Sequence, residues 1–189
     1  MQPKARAVDE QGRLLDQSQP TRFLAEAAPD GTTRLAVAVP AERLQAVHAA
    51  MVDLLQAPLG VLYVQLVDRQ AGQQHEEPKR FVGVDLQPAS VHEAIASAAG
   101  LVYGDGRHQL WVKGARGAQI ILDELGMIWT YPDDPSFREA LARLGVDEGD
   151  APSIGEADYV RVELVAEADV QEAALIARLG LQELPGGYR

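Results

Sequence analysis

Three short apolar segments follow one another between residues 109 and 131, and the turns between them contain glycine. The segments cover residues 109–113, 118–123 and 127–131. Segments of this length are typical of strands, and glycine readily adopts the positive φ that tight turns require. We therefore expect three antiparallel strands here, and the fold must place its sheet around them.

Helical patterns alternate with strand-like segments in the rest of the chain. In residues 41–56 the apolar side chains recur at helical spacing, which predicts an amphipathic helix. Asp134 followed by Pro135 is typical of a helix start, because the carboxylate caps free amides and proline fits the first turn. Capping patterns near Ser90 and Asp169 predict two further helices.

The combination predicts an α+β fold: a mostly antiparallel or mixed sheet, with about four helices packed mainly on one side. A chain of 189 residues suits one domain, which we expect to cover residues 1–189. The alternative is a division into two lobes near residues 70–79, a polar segment that reads as an exposed loop. Residues 146–157 are predicted to form an acidic surface loop.

The charge of the chain limits its partners. Asp and Glu number 28 against 17 Lys and Arg, so the formal net charge is -11. Such a field repels phosphate backbones, so we expect no nucleic acid and favour a protein partner, in particular a basic one. No run approaches the roughly 18 apolar residues of a membrane span, which predicts no membrane contact and a cytoplasmic location. The absence of cysteine excludes disulfides and thiolate chemistry.

The predicted strands of residues 109–131 carry both tryptophans of the chain. One interpretation places these aromatic side chains in the core beneath a helix that contains Phe137, and it is favoured because large aromatic residues usually fill a core. The other interpretation makes them an exposed binding platform with cations beside it. The candidate binding residues are Trp111, Lys113, Arg116, Trp129, Tyr131 and Asp133.

No local motif indicates catalysis. The pair Asp133 and Asp134 is explained by the predicted helix start, and no serine nucleophile motif or dinucleotide-binding fingerprint occurs. No two histidines have metal-binding spacing. The histidines are His48, His75, His92 and His108. We therefore expect no catalytic residue, no metal and no cofactor.

By elimination, the sequence predicts a non-catalytic acidic protein that binds another protein, as an inhibitor, an immunity protein or an adaptor does. A basic partner would meet an acidic surface formed by Asp147, Glu148, Asp150, Glu156 and Asp158. The alternative is a small-molecule-binding protein or an enzyme whose pocket is lined by the aromatic strands of residues 109–131. A third possibility is a component of a larger assembly, and the oligomeric state is left open.

Overall fold

The computed structural model describes residues 2–16, 18–28, 30–68, 73–150, 153–162 and 167–185, and for residues 68 and 73–76 it describes the backbone alone. The strands within these ranges are β1 (Ala5–Ala7), β2 (Arg22–Ala27), β3 (Thr33–Ala38), β4 (Leu59–Asp68), β5 (Gln73–Leu86), β6 (His108–Lys113), β7 (Gln119–Leu122), β8 (Ile128–Tyr131), β9 (Asp147–Glu148), β10 (Tyr159–Arg161) and β11 (Gln182–Glu183). The helices are α1 (Ala41–Val52), α2 (Pro88–Ser97), α3 (Ala99–Gly104), α4 (Pro135–Arg143) and α5 (Ala168–Arg178).

Nine of these strands form one large mixed sheet. Its order is β11-β5-β4-β6-β7-β8-β3-β2-β9, and every neighbouring pair is antiparallel except β2 and β9. The three strands predicted in residues 109–131 are confirmed as β6, β7 and β8, which lie side by side in the middle of the sheet. The α+β fold class is confirmed.

The helices pack against one face of this sheet, which we call the inner face. Leu110 and Val112 of β6 and Leu122 of β7 lie on this face and are fully buried. They belong to one hydrophobic core to which all five described helices contribute, including Val47 of α1 and Phe137 of α4. Burial of an aliphatic or aromatic side chain is worth about 1.5–3 kcal/mol, so this core holds the helices to the sheet.

The helix boundaries follow the predicted signals in part. Helix α1 begins at the predicted residue and ends at Val52, before the predicted end at residue 56. The cap at Asp134 is confirmed, since its carboxylate accepts a hydrogen bond from the backbone N–H of Ser136 at 2.8 Å. The cap predicted at Ser90 is wrong: α2 begins at Pro88 and has no side-chain cap.

Two predicted loops contain regular structure. In the segment 70–79, residues 70–72 lie outside the described residues, but the rest belongs to β5, because its backbone pairs with β4 in the hairpin. The acidic segment 146–157 contains β9 and a short 3-10 helix, Ile154–Glu156, while residues 151 and 152 lie outside the described residues. Among the described residues, we find no helix with the length and apolar character of a membrane span.

The face of the large sheet opposite the helices is the outer face. Part of it is covered by what we call the N-terminal layer: β1, β10 and residues 8–15. β1 pairs antiparallel with β10, and Val8 forms a bridge with Leu14. Ala5 and Ala7 of this layer pack in a second, smaller core. The other members of that core are Ala36, Ala38, Met127 and Ile154.

Candidate interaction surfaces

The outer face carries both tryptophans. In the strand register Trp111 of β6 pairs with Ile121 of β7, which pairs with Trp129 of β8, so all three side chains share one face. Both tryptophans are partly exposed. Their predicted place beneath the helix of Phe137 is wrong, because Phe137 is buried in the inner core and the tryptophans lie on the opposite side of the sheet.

Hydrogen bonds hold both indole rings in place. The indole N–H of Trp111 donates to the side-chain oxygen of Gln109 at 3.0 Å, and the amide of Gln109 donates to Glu124 at 2.7 Å. The indole N–H of Trp129 donates to the carboxylate of Asp123 at 2.8 Å. The polar edge of each ring is thus satisfied within the chain, and the remaining ring surface is apolar.

Arg34 of β3, which the sequence did not single out, completes this aromatic surface. Its guanidinium lies 4.0 Å from the centre of the Trp129 ring, within the range of a cation–π interaction. It also donates to the hydroxyl of Tyr131 and forms an ion pair with Glu26 on β2. The β2–β3 hairpin places Arg34 opposite Glu26, so this contact is local. The contacts of Arg34 with Trp129 and Tyr131 depend on the pairing of β3 with the neighbouring strand β8, which no local pattern predicts.

The other candidate binding residues have different surroundings. Lys113 lies at the end of β6 and Arg116 in the turn that follows, and both are exposed. Neither forms an ion pair within the part of the chain that the structure describes. Asp133, in contrast, accepts two hydrogen bonds from Arg138 of α4, at 2.7 and 2.8 Å, which lower the pKa of its carboxyl. Asp133 is therefore occupied by a contact at the start of α4.

Four of the acidic residues predicted to meet a partner lie at or next to the β2–β9 edge of the sheet, and Asp158 lies nearby just before β10, where its carbonyl accepts a hydrogen bond from Val8 of the N-terminal layer; we call the five residues the acidic edge. They are Asp147, Glu148, Asp150, Glu156 and Asp158. Arg22 of β2 holds this region together, because it donates to Glu156 at 3.0 Å and to the carbonyl of Gly149 at 3.3 Å. Glu148 pairs with Arg138 at 3.0 Å. The remaining three carboxylates are exposed and form no ion pair among the described residues.

The N-terminal layer, next to the acidic edge, exposes apolar side chains. Among the described residues, four of the six large apolar side chains recorded as exposed belong to it: Leu14 at 55%, Leu15 at 42%, Tyr159 at 42% and Val160 at 44%. Leu15 bonds through its backbone N–H to Ala7, and Ala7 pairs with Tyr159, so these residues lie on adjacent chain segments. Exposed apolar side chains that are grouped in this way are typical of an interaction site.

A cleft of about 430 Å³ opens beside this layer. Leu14, Leu15 and Ile154 supply apolar lining, while Asp16 and Glu42 supply carboxylates. The volume lies in the range of small-ligand sites, and it also suits an inserted side chain of a partner. No local pattern in the sequence indicates this cleft, because its walls come from the N-terminal layer, the start of α1 and the 3-10 helix.

A buried polar network closes one end of the inner face. The ammonium of Lys4, at 1% exposure, donates to the carbonyls of Val102 and His108 at 3.2 Å and lies 3.3 Å from the His108 ring. Burial lowers the pKa of Lys4 to about 8, although nearby carboxylates including Asp123 oppose this. Burial also lowers the pKa of His108, so its ring is neutral. With no solvent access, these groups anchor the N-terminal segment.

The network continues through Arg107, which is fully buried. Its guanidinium donates to Asp105 at 3.1 Å and to Asp169 of α5 at 2.6 Å. Tyr63 donates its hydroxyl to Glu172, and burial raises the pKa of both groups. These contacts join α5 to the sheet, and this structural role accounts for the buried charges.

A second, smaller cleft of about 150 Å³ lies between α1 and α2. His48 lines it and contacts the hydroxyl of Tyr103 at 3.0 Å through Nδ1. Burial lowers the pKa of His48 to about 3, so the ring is neutral. No group of three or more potential metal ligands is found among the described residues. His75 lies among the residues whose side chains are not described.

Comparisons of this chain with protein-family models, with curated proteins and with solved structures found no match.

Proposed function

We propose that the chain is a non-catalytic protein that binds a basic partner protein through the acidic edge and the N-terminal layer. One observation carries this proposal: the exposed apolar side chains are concentrated on the layer that adjoins unpaired carboxylates. A protein interface typically combines an apolar centre with a charged rim. Here Leu14 and Leu15, which line the neighbouring cleft, would form the centre, and the acidic edge would form the rim.

The two kinds of carboxylate in the acidic edge would have different roles. Glu148 and Glu156 are ion-paired with Arg138 and Arg22, so they support the shape of this edge. Asp147, Asp150 and Asp158 are free to attract cations, and the net charge of -11 would accelerate the approach of a basic partner.

The 430 Å³ cleft would receive an apolar side chain of the partner. Interfaces gain most of their binding energy from a few side chains buried in pockets, and exposed charges around them contribute mainly to rate and specificity. Leu14 and Leu15 at the cleft mouth would contact such a side chain, while Asp16 and Glu42 would favour a neighbouring lysine or arginine.

The experiment is affinity capture from the native cells with the full chain at moderate and high salt. The test variant carries Asp147→Lys, Asp150→Lys and Asp158→Lys. The control variant carries the same charge change at Glu77, Glu139 and Glu183, which are exposed on other elements. A partner that wild type and control retain, that high salt weakens and that the test variant loses supports the proposal. Equal capture by both variants would contradict it.

A small-molecule site lined by the aromatic strands is the second candidate. The observation in its favour is that Trp111 and Trp129 are accessible on the outer face. However, the two clefts described above are lined by other residues, so a ligand here would rest on an open sheet face. Native mass spectrometry of the purified chain tests this candidate, since a retained metabolite that Trp111→Ala removes would favour it.

A further inference from the structure

The aromatic surface of the outer face is rigid before anything binds to it. Trp111 is fixed through Gln109, and Trp129 is fixed through Asp123, whose carboxylate also accepts hydrogen bonds from the backbone N–H groups of Leu125 and Met127. A surface whose rings are already positioned loses little conformational entropy on binding. This is a property of binding surfaces that packing alone does not require of half-exposed side chains.

On the side of Trp111 towards the β6–β7 turn the charge is opposite to that of the whole chain, while Glu124 lies on the other side, bonded to Gln109. Lys113 lies two residues along β6 on the same face, and Arg116 lies in the adjoining turn. Both are exposed and without ion pairs in the ranges the structure describes, although the chain has a net charge of -11. The other cation on this surface, Arg34, is already paired with Glu26. The free cations therefore favour an acidic occupant.

We propose that the outer face binds an extended acidic segment of a partner protein, with an apolar side chain of that segment on Trp111 and a carboxylate on Lys113. Side chains two residues apart in an extended segment are separated by about 6.7 Å, the same spacing as Trp111 and Lys113 on β6. The segment would thus run along β6 and carry an acidic residue two positions from an apolar one. Arg116 would pair with a second carboxylate.

A second copy of this chain fits the surface less well. Two chains of charge -11 repel each other, and the acidic strand β9 is already paired with β2. The inference does not depend on the proposed function, because it concerns a different surface and a partner of opposite charge.

The experiment uses a random peptide display library selected on the full chain, with peptides that contain tryptophan removed. Both tryptophans of the protein lie on the proposed surface, so their fluorescence reports binding there directly. The expected result is enrichment of peptides with an acidic residue two positions from an apolar one. Titration with a synthetic selected peptide should shift the tryptophan emission, and added salt should weaken the binding.

Charge reversal provides the decisive variant. The double variant Lys113→Glu, Arg116→Glu should weaken the binding of the selected peptide by about tenfold or more, because two close charge pairs become repulsive. Arg143→Glu with Arg178→Glu, which changes two exposed cations of α4 and α5, should leave the affinity unchanged. Selection of neutral or basic peptides, equal binding by the reversed variant, or self-association that shifts the emission without peptide would overturn the proposal.

Discussion

Leu110 and Val112 of β6 are fully buried on the inner face, whereas Trp111, between them, is partly exposed on the outer face. The same contrast holds on β8, where Ile128 is buried beneath the helices and Trp129 lies on the other side. The inner face is closed by the main hydrophobic core, while on the outer face hydrogen bonds hold both tryptophans, and Trp129 also packs beneath Arg34 and against the second core. The main core and the proposed binding surface therefore lie on opposite sides of one sheet.

The largest effect should come from the buried end of the inner face. Arg107→Met should lower the free energy of unfolding by about 3–5 kcal/mol, because the fully buried carboxylate of Asp105 would lose its counter-ion. Urea unfolding followed by circular dichroism measures it. The double variant Arg107→Met, Asp105→Asn should recover part of the loss. A single variant as stable as wild type would show that this network does not hold α5 to the sheet.

Adjacent residues of β6 give the next largest effect. Leu110→Ala should cost about 2–5 kcal/mol, because it leaves a cavity in the inner core. Trp111→Ala should cost less in the same urea experiment, because its ring is partly exposed and its neighbours can rearrange. If Trp111→Ala proved the more destabilising, the outer face around Trp111 would belong to the core rather than to a binding surface.

Local patterns predicted the elements that this comparison uses, but not which face the helices cover. Glycine turns and apolar segments indicated β6, β7 and β8. Both faces of these strands carry apolar residues, so which face the helices cover depends on how distant helices pack. Leu110 and Val112 are aliphatic and Lys113 accompanies Trp111, and this was the available signal that the tryptophan face is outside.

The candidate surfaces were less predictable, because their contacts connect remote parts of the chain. Lys4 meets His108 across 104 positions, and Arg34 meets Tyr131 across 97. The acidic edge could be suggested from composition, but the ion pair between Arg22 and Glu156 that shapes it spans 134 positions. Leu15 and Tyr159 of the N-terminal layer come near each other because Ala7 of β1 contacts both, which no local pattern indicates.

A smaller effect concerns His48, which the inner side keeps neutral. Burial lowers its pKa from 6.5 to about 3, so the unfolded chain binds a proton below pH 6.5 that the folded chain does not. Its contribution to stability is complete above pH 6.5 and is lost as the pH falls towards 3. Between about pH 7.5 and pH 5 this loss is about 2 kcal/mol.

The variant His48→Gln isolates that contribution from other titrating groups. Asp123 and Glu172 have raised pKa values and act in the opposite direction over part of this range, so wild type alone would show a mixed profile. The difference in unfolding free energy between wild type and His48→Gln should shift by about 2 kcal/mol in favour of the variant as the pH falls to about 5. A difference independent of pH would mean that His48 takes up its proton at the same pH in the folded and the unfolded chain.

The smallest effect should come from the outer face, where Trp129→Phe keeps an aromatic ring but removes the N–H donor to Asp123. Burial raises the pKa of Asp123 to about 6, and the indole hydrogen bond opposes that rise. The variant should therefore raise this pKa further and cost about 1 kcal/mol of stability at neutral pH, where the folded state still holds a charged carboxylate. Carbon NMR of the Asp123 carboxyl measures the pKa, and Trp111→Phe, whose donor bonds to Gln109, is the control.

An unchanged pKa of Asp123 would show that the Trp129 ring is placed by packing alone. The outer face would then resemble the inner one in how it is built, and the case for a rigid binding surface would rest on Trp111.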